Sequence, residues 1–156
     1  MSTDVSALMK ITDRPPVVMI EGHGSRLRDE DGKSYLDFVQ GWAVNCLGHS
    51  PSVIAETVAS PAFLADVAAK GHYLAGRLHA LSAKHGHGEV RGRGLLLALE
   101  LKGVDAGKVA RSAMDHGLLL NAPRPDSLRF MPALNVTREE IDEMLDLLEM
   151  SLERAG

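Results

Sequence analysis

At 156 residues, 45% of them hydrophobic and 24% charged, the chain has the size and composition of one soluble folded domain with a genuine core. A net charge of −4 with interspersed acids and bases, and an aromatic content of 4%, speak against nucleic acid or an anionic membrane as partner. Cys46 is the only cysteine, which excludes an intrachain disulfide and fits a reducing cytoplasm.

Residues 1–16 read as irregular or weakly helical up to Pro15-Pro16, without the long apolar core of a signal peptide. No apolar run further along reaches membrane-spanning length. The stretch "VVMIEGHGSRLRDEDGKSYLDFV" predicts a three-stranded antiparallel meander over Val17–Glu21, Ser25–Asp29 and Ser34–Val39. Gly22 and Gly24 punctuate its first turn, and Asp31-Gly32 is a hairpin signal because both residues tolerate positive φ. Alternation puts Leu36 and Phe38 on one face of the third strand, Tyr35 and Asp37 on the other. "QGWAVNCLGHS" is a loop by its glycines and mixed polarity.

Two helix starts then follow in quick succession, Ser50-Pro51 and Ser60-Pro61. Only the second has room for a long helix. Leu64, Val67, Gly71, Leu74, Leu78 and Leu81 recur at steps of three and four, one stripe that ends at Gly86 and Gly88. "GEVRGRGLLLALEL" reads as one apolar strand entered through glycines. Asp105 caps a helix running to about His116, with Gly117 as its stop. Leu118–Asn121 is a short strand, "APRPD" a turn, and Ser127–Met131 another strand. Thr137 and Glu140 form a capping box for a last helix, whose buried stripe is Ile141, Met144, Leu145, Leu148 and Leu152. From Pro61 the order is therefore α-β-α-β-β-α. The class is α+β: a single domain in which helices cover a small sheet and the meander adds a second layer of β structure.

Chemistry is sparse. His72, His79, His85 and His87 lie close in sequence, but no carboxylate or cysteine completes a usual metal spacing, and solvation at a helix end is their expected role. "GRGLLLALEL" places glycines before a strand, whereas phosphate cradles run strand, glycines, helix; Gly92 and Gly94 are expected to permit close backbone approach. Cys46 near His49 reads as a small buried hydrophobe, and no nucleophile elbow is present. No catalytic residue, metal ligand or cofactor ligand is assigned. Arg129 stands apart. It sits mid-strand, pointed away from Leu128 and Phe130, and a guanidinium fork matches a carboxylate in two parallel hydrogen bonds. On spacing alone, an ordinary solvent-facing arginine on an exposed sheet face is the first reading. Trp42 follows the meander, where a tryptophan lines a pocket or packs a domain.

Two long stretches resemble a known family. "LRDEDGKSYLDFVQGWAVNCLGHSPSVIAE" is similar to the N-terminal segment of class III pyridoxal-phosphate aminotransferases, nearest in flavour to the acetylornithine enzymes. "VRGRGLLLALEL", "GLLLN", "LRFMPALNVTREEID" and the closing helix are similar to the family's C-terminal segment. The resemblance assigns residues 1–56 to the first segment and 57–156 to the second, together the small domain of a fold-type I aminotransferase. It implies a parent that moves an amino group from acetylornithine or a similar ω-amine to 2-oxoglutarate. By the same resemblance Arg129 matches the arginine that receives the substrate α-carboxylate. Trp42 matches a loop near the substrate entrance, where tryptophan departs from the acetylornithine pattern, and Gly48-His49 matches with a structural role. The large domain that in the family separates the two segments supplies the phosphate cradle, the stacking aromatic, the aspartate to the ring nitrogen and the Schiff-base lysine. None of those motifs is present, and Lys10, Lys33, Lys70, Lys84, Lys102 and Lys108 all lie in other contexts. The doubled Ser-Pro signal thus marks a seam near Glu56-Thr57. No cofactor is expected for this chain, and it is expected to be catalytically incompetent alone. The alternatives are a self-associating or partner-binding module, including a domain-swapped dimer, or one half of an enzyme completed by a separate cofactor domain.

Overall fold

A computed structural model of the chain describes residues 17–40, 45, 48–49 and 60–155. The readings made for residues 1–16, Trp42, Cys46, the Ser50-Pro51 helix start and the seam lie outside these residues. Among the described residues, eight strands and three helices follow one another as β1 (Met19–His23), β2 (Arg26–Asp29), β3 (Ser34–Asp37), α1 (Pro61–His85), β4 (Val90–Arg93), β5 (Leu96–Glu100), α2 (Ala106–Asp115), β6 (Leu118–Leu119), β7 (Asn121–Arg124), β8 (Ser127–Phe130) and α3 (Arg138–Ala155). They build a mixed α/β fold with two four-stranded sheets, ordered β1-β2-β3-β6 and β4-β5-β8-β7.

The expected meander is present and antiparallel. Its second turn is anchored by Asp29 rather than by Asp31-Gly32 alone. The Asp29 carboxylate accepts from Asp31 N at 3.1 Å, Lys33 N at 2.8 Å and the Tyr35 hydroxyl at 2.8 Å. Gly32 supplies the positive φ, at 84°. The turn therefore spans four residues, Glu30 to Lys33, wrapped around one side chain. Alternation in β3 does not divide buried from exposed: Tyr35, Leu36, Asp37 and Phe38 are all buried. The Tyr35 and Asp37 face is closed by polar contacts instead of by the apolar core.

Three strand assignments change. The stretch from Val90 to Glu100 is a hairpin, β4 antiparallel to β5, and not one strand. Gly92 and Gly94, at φ 129° and 58°, let the chain reverse there. Leu118–Leu119 pairs parallel with Leu36–Asp37, so the meander becomes a mixed four-stranded sheet. "APR" belongs to β7 and not to a turn. Pro123 is tolerated because β7 is an edge strand with a register irregularity between Asn121 and Arg124, where a ladder N–H is dispensable.

The helix boundaries follow their signals. The Ser60 hydroxyl accepts from Phe63 N at 3.2 Å, Pro61 opens α1, and Gly86 closes it at φ 70°. Asp105 accepts from Lys108 N at 2.8 Å at the start of α2. Thr137 and Glu140 bond reciprocally at 3.1 and 2.9 Å as a capping box for α3. The α1 stripe begins later than its periodicity suggests. Leu64 is 53% exposed, and burial sets in only at Gly71, Leu74, Leu78 and Leu81. In the first two turns Leu64 stays outside the core, while Val67 is partly buried against it.

The core forms where α1, α2 and α3 meet one face of the second sheet and the end of β3. Leu97, Leu99, Leu128 and Phe130 face Leu74, Leu78, Val109, Ile141, Met144 and Leu148, with Leu36 and Phe38 contributed by the meander. Burying each of these large side chains contributes on the order of 1.5–3 kcal/mol. Gly71 sets the approach of α1: a Cβ there would lie 2.7–2.9 Å from the Gly94 backbone.

Two outcomes are expected. Gly71→Ala lowers unfolding stability in urea by about 1–3 kcal/mol through overpacking, whereas Gly76→Ala on the same helix, which faces open space, raises it by up to about 1 kcal/mol. Burial and the Asp29 carboxylate push the Tyr35 hydroxyl up to about 12. Its folded pKa lies above the unfolded value, so the stability it contributes is complete below pH 10 and lost as pH rises through 12. The difference between alkaline absorbance titrations of the native protein and Tyr35→Phe should show a midpoint near 12.

Candidate carboxylate-binding face

The second sheet carries the core on one face. On β8, Leu128 and Phe130 are fully buried in the core, and the two-residue period carries Ser127 and Arg129 to the opposite side. β8 is an interior strand, so Arg129 stands between two neighbours: Ala98 faces it from β5 and Asn121 from β7. Ala98 is a single methyl, and Asn121 offers an amide. Arg129 is half-buried and has no ion-pair partner among the described residues. By contrast Arg26, Arg28 and Arg77 are each paired with a carboxylate, on Glu143, Glu21 and Asp142. Arg129 thus lies across the strand from the buried Leu128 and Phe130, as the spacing suggests.

The loop that contains Trp42 is rooted beside this strand. Met131 N, two residues beyond Arg129, donates to Phe38 O at 3.0 Å. From there the chain turns at Gln40, a non-glycine residue at φ 48° whose side chain is fully buried. Gln40 Nε2 donates to Asp37 O at 2.8 Å, while Oε1 has no hydrogen-bond partner among the described residues. Asp37 is the hub of this stem. One of its carboxylate oxygens accepts from Val39 N and Gln40 N at 2.9 Å each, and the other lies 2.8 Å from His49 Nε2. Asn45 Nδ2 lies 3.5 Å from His49 Nδ1, and the loop closes where Gly24 and His49 exchange backbone bonds at 2.8 and 2.9 Å. The structural role expected for Gly48-His49 is visible here. Gly48, at φ 78°, passes so close that a Cβ would meet Gly24 O at 2.5 Å. Sequence reasoning missed Asp37 and Gln40. The available signal was an aspartate followed by a buried amide and, twelve residues on, a histidine, a pattern that only tertiary folding brings together.

The remaining candidates serve other ends. His85 Nε2 pairs with Glu149 at 2.5 Å and stacks on His87, so His85 is an interhelical contact and not a solvated helix end. Burial, reinforced by His85, lowers the His87 pKa. His72 and His79 are exposed on α1, and the described residues hold no group of three or more metal-ligating side chains. Gly92 has the close-approach role expected of it: a Cβ would stand 2.1 Å from Leu96 O.

Residues 52–152 match the aminotransferase class-III family. The chain belongs to the class III aminotransferases. Acetylornithine aminotransferase of Ralstonia nicotianae is 49% identical over 118 residues, which cover 73% of this chain and 28% of that protein. The acetylornithine aminotransferase of Caldanaerobacter subterraneus is 41% identical over 93 residues, covering 59% and 24%. Among solved structures, N-acetylornithine aminotransferase of Stenotrophomonas maltophilia superposes with a TM-score of 0.58 at 35% identity, over 62% of this chain and 28% of that one. Lysine aminotransferase of M. tuberculosis gives 0.61 at 26% identity, over 65% and 24%. The chain thus spans about a quarter of the length of the relatives it matches. Among the described residues no helix is long and apolar enough to cross a membrane.

Class III aminotransferases work with pyridoxal phosphate, which needs a lysine amine able to lose its proton and add to an aldehyde. The described lysines do not fit that duty. Lys33 Nζ donates to the α2 carbonyls of Met114 and Asp115 at 3.1 and 3.0 Å. Lys70 pairs with Asp66 along α1. Lys84 pairs with Glu149 at 2.7 Å, and this hydrogen bond raises its pKa, which holds the proton on. Lys102 and Lys108 are exposed at either side of the turn into α2.

Proposed function

We propose that this chain is the small domain of a class III aminotransferase of the acetylornithine type, one that keeps a carboxylate-receiving arginine and lacks transaminase activity alone. The parent reaction under this reading moves an amino group from acetylornithine or a similar ω-amine to 2-oxoglutarate in the cytoplasm. Arg129 carries the reading. It is a half-buried arginine with no ion-pair partner among the described residues, held by a strand whose other side is core. By resemblance Trp42 belongs to a loop near the family's substrate entrance, where its bulk would narrow the range of substrates. The chain's own residues can bind and orient a carboxylate, but no described lysine can take over the cofactor chemistry. Under this reading the segment that longer relatives carry between the two halves would fall at the seam near Glu56-Thr57.

The test has two parts. After incubation with pyridoxal phosphate and reduction with borohydride, the mass spectrum is expected to hold no stoichiometric adduct; one pyridoxyl group on a single lysine overturns the claim of incompetence. In the same protein, butyrate is expected to shift the Arg129 side-chain N–H resonance, and Arg129→Ala to abolish that binding.

A second reading is favoured by the exposure of Leu64 on α1 and Leu96 on β5, at 53% and 55%. Large apolar side chains in water suit self-association, a domain-swapped dimer or docking of a separately encoded cofactor domain. Light scattering separates the self-associating forms from the first reading: a concentration-dependent rise in mass supports them, and a constant monomer mass from micromolar to millimolar removes them.

A further inference from the structure

We propose that His87 is an acid-operated latch between the end of α1 and the bend that follows β5: when His87 takes a proton, its ring leaves the His85 ring for water, while α1 stays pinned to α3. The His85 and His87 rings are stacked, with centroids 6.2 Å apart and planes 18° from parallel. The two are held unequally. His85 Nε2 lies 2.5 Å from Glu149 Oε1 on α3, and Lys84 Nζ reaches the same oxygen at 2.7 Å. His87 has no ion-pair partner among the described residues; its Nδ1 lies 3.3 Å from Lys102 N. A positive charge on His85 therefore meets a carboxylate, whereas one on His87 meets another imidazole.

The other charged groups near the connection do not pair with His87. Glu100, at the end of β5, lies over Gly88, where a Cβ would meet its side chain at 2.8–2.9 Å. Glu89 and Lys102 are exposed. Burial first, and His85 second, lower the His87 pKa; a backbone contact with Lys102 works the other way and does not outweigh them. The charged ring is thus better placed in water than in the stack. Gly86 and Gly88 flank His87 and carry no side chain to block that exit. The chain itself stays tied, because His87 N donates to Ser82 O at 2.9 Å and Ser82 Oγ to Gly88 O at 2.6 Å. What is released is the bend at residues 102–104. Leu101 N and Ala106 N fasten its two ends, to Asp126 O and Pro125 O at 2.7 Å each, and the His87 contact joins its middle to the end of α1. The folded pKa of His87 lies below the unfolded value of 6.5, so the stability it contributes is complete above 6.5 and falls as pH drops towards the folded pKa.

The experiment records histidine ring and backbone amide resonances of the whole chain between about pH 8 and about pH 5. His87 and the Lys102 amide are expected to shift together, with one midpoint below 6.5. A soluble paramagnetic agent is expected to broaden the His87 ring signals more below that midpoint than above it. His87→Gln should abolish the Lys102 step. His85→Phe keeps a ring in the stack without its charge and should move the His87 midpoint to higher pH. Equal broadening on both sides of the midpoint, a Lys102 step that survives in His87→Gln, or a His87 midpoint unmoved by His85→Phe each overturn the latch.

Discussion

The period of two along β8 is the constraint on which the rest of the structure turns. Leu128 and Phe130 must be inside, because they fill the layer between the second sheet and the three helices. Arg129 must then be outside, with its two flanking positions fixed by the register of β5 and β7. A one-residue slip would bury a guanidinium and expose two of the largest core side chains. The packing energy of the core thus also determines where the charge goes, and no separate interaction is required to aim it.

The two sheets could drift apart if only helices held them, and two short devices prevent this. The chain passes from β6, paired with β3 of the first sheet, directly into β7 of the second, across Leu120. The Met131–Phe38 bond ties the far end of β8 to the end of β3. Between these ties lies the stem of the loop built on Asp37. A carboxylate that accepts two backbone N–H groups and a histidine at once is fully engaged, which stiffens the stem, and the Gln40 amide oxygen beside it has no partner among the described residues. Rigidity here matters because the stem borders the strand that presents Arg129.

Much of this was legible in the sequence because it is encoded locally. Caps such as Ser60, Asp105 and the Thr137/Glu140 pair act within four residues, and helix stripes repeat within one turn. The outward turn of Arg129 followed from its two neighbours alone. What escaped was non-local or ambiguous. Gly92 and Gly94 mark a close approach equally well in a strand or in a reversal, and only the pairing of Val90 with Leu99 decides for the hairpin. Leu64 fits the α1 stripe perfectly by spacing, yet spacing does not say how far the sheet beneath extends. Asp37 looked like one more polar residue of a strand, because its partner His49 arrives only when a loop folds back onto Gly24.

A carboxylate held by one half-exposed arginine gains little in water, since screening and side-chain entropy take back most of the attraction. Affinity at such an arginine comes from geometry: a planar fork on a strand that does not move. The strand that carries Arg129 also forms the small core, so the placement of Arg129 persists wherever that core folds. Lys33, Lys70 and Lys84 are each tied to carbonyls or carboxylates, contacts that favour the protonated amine.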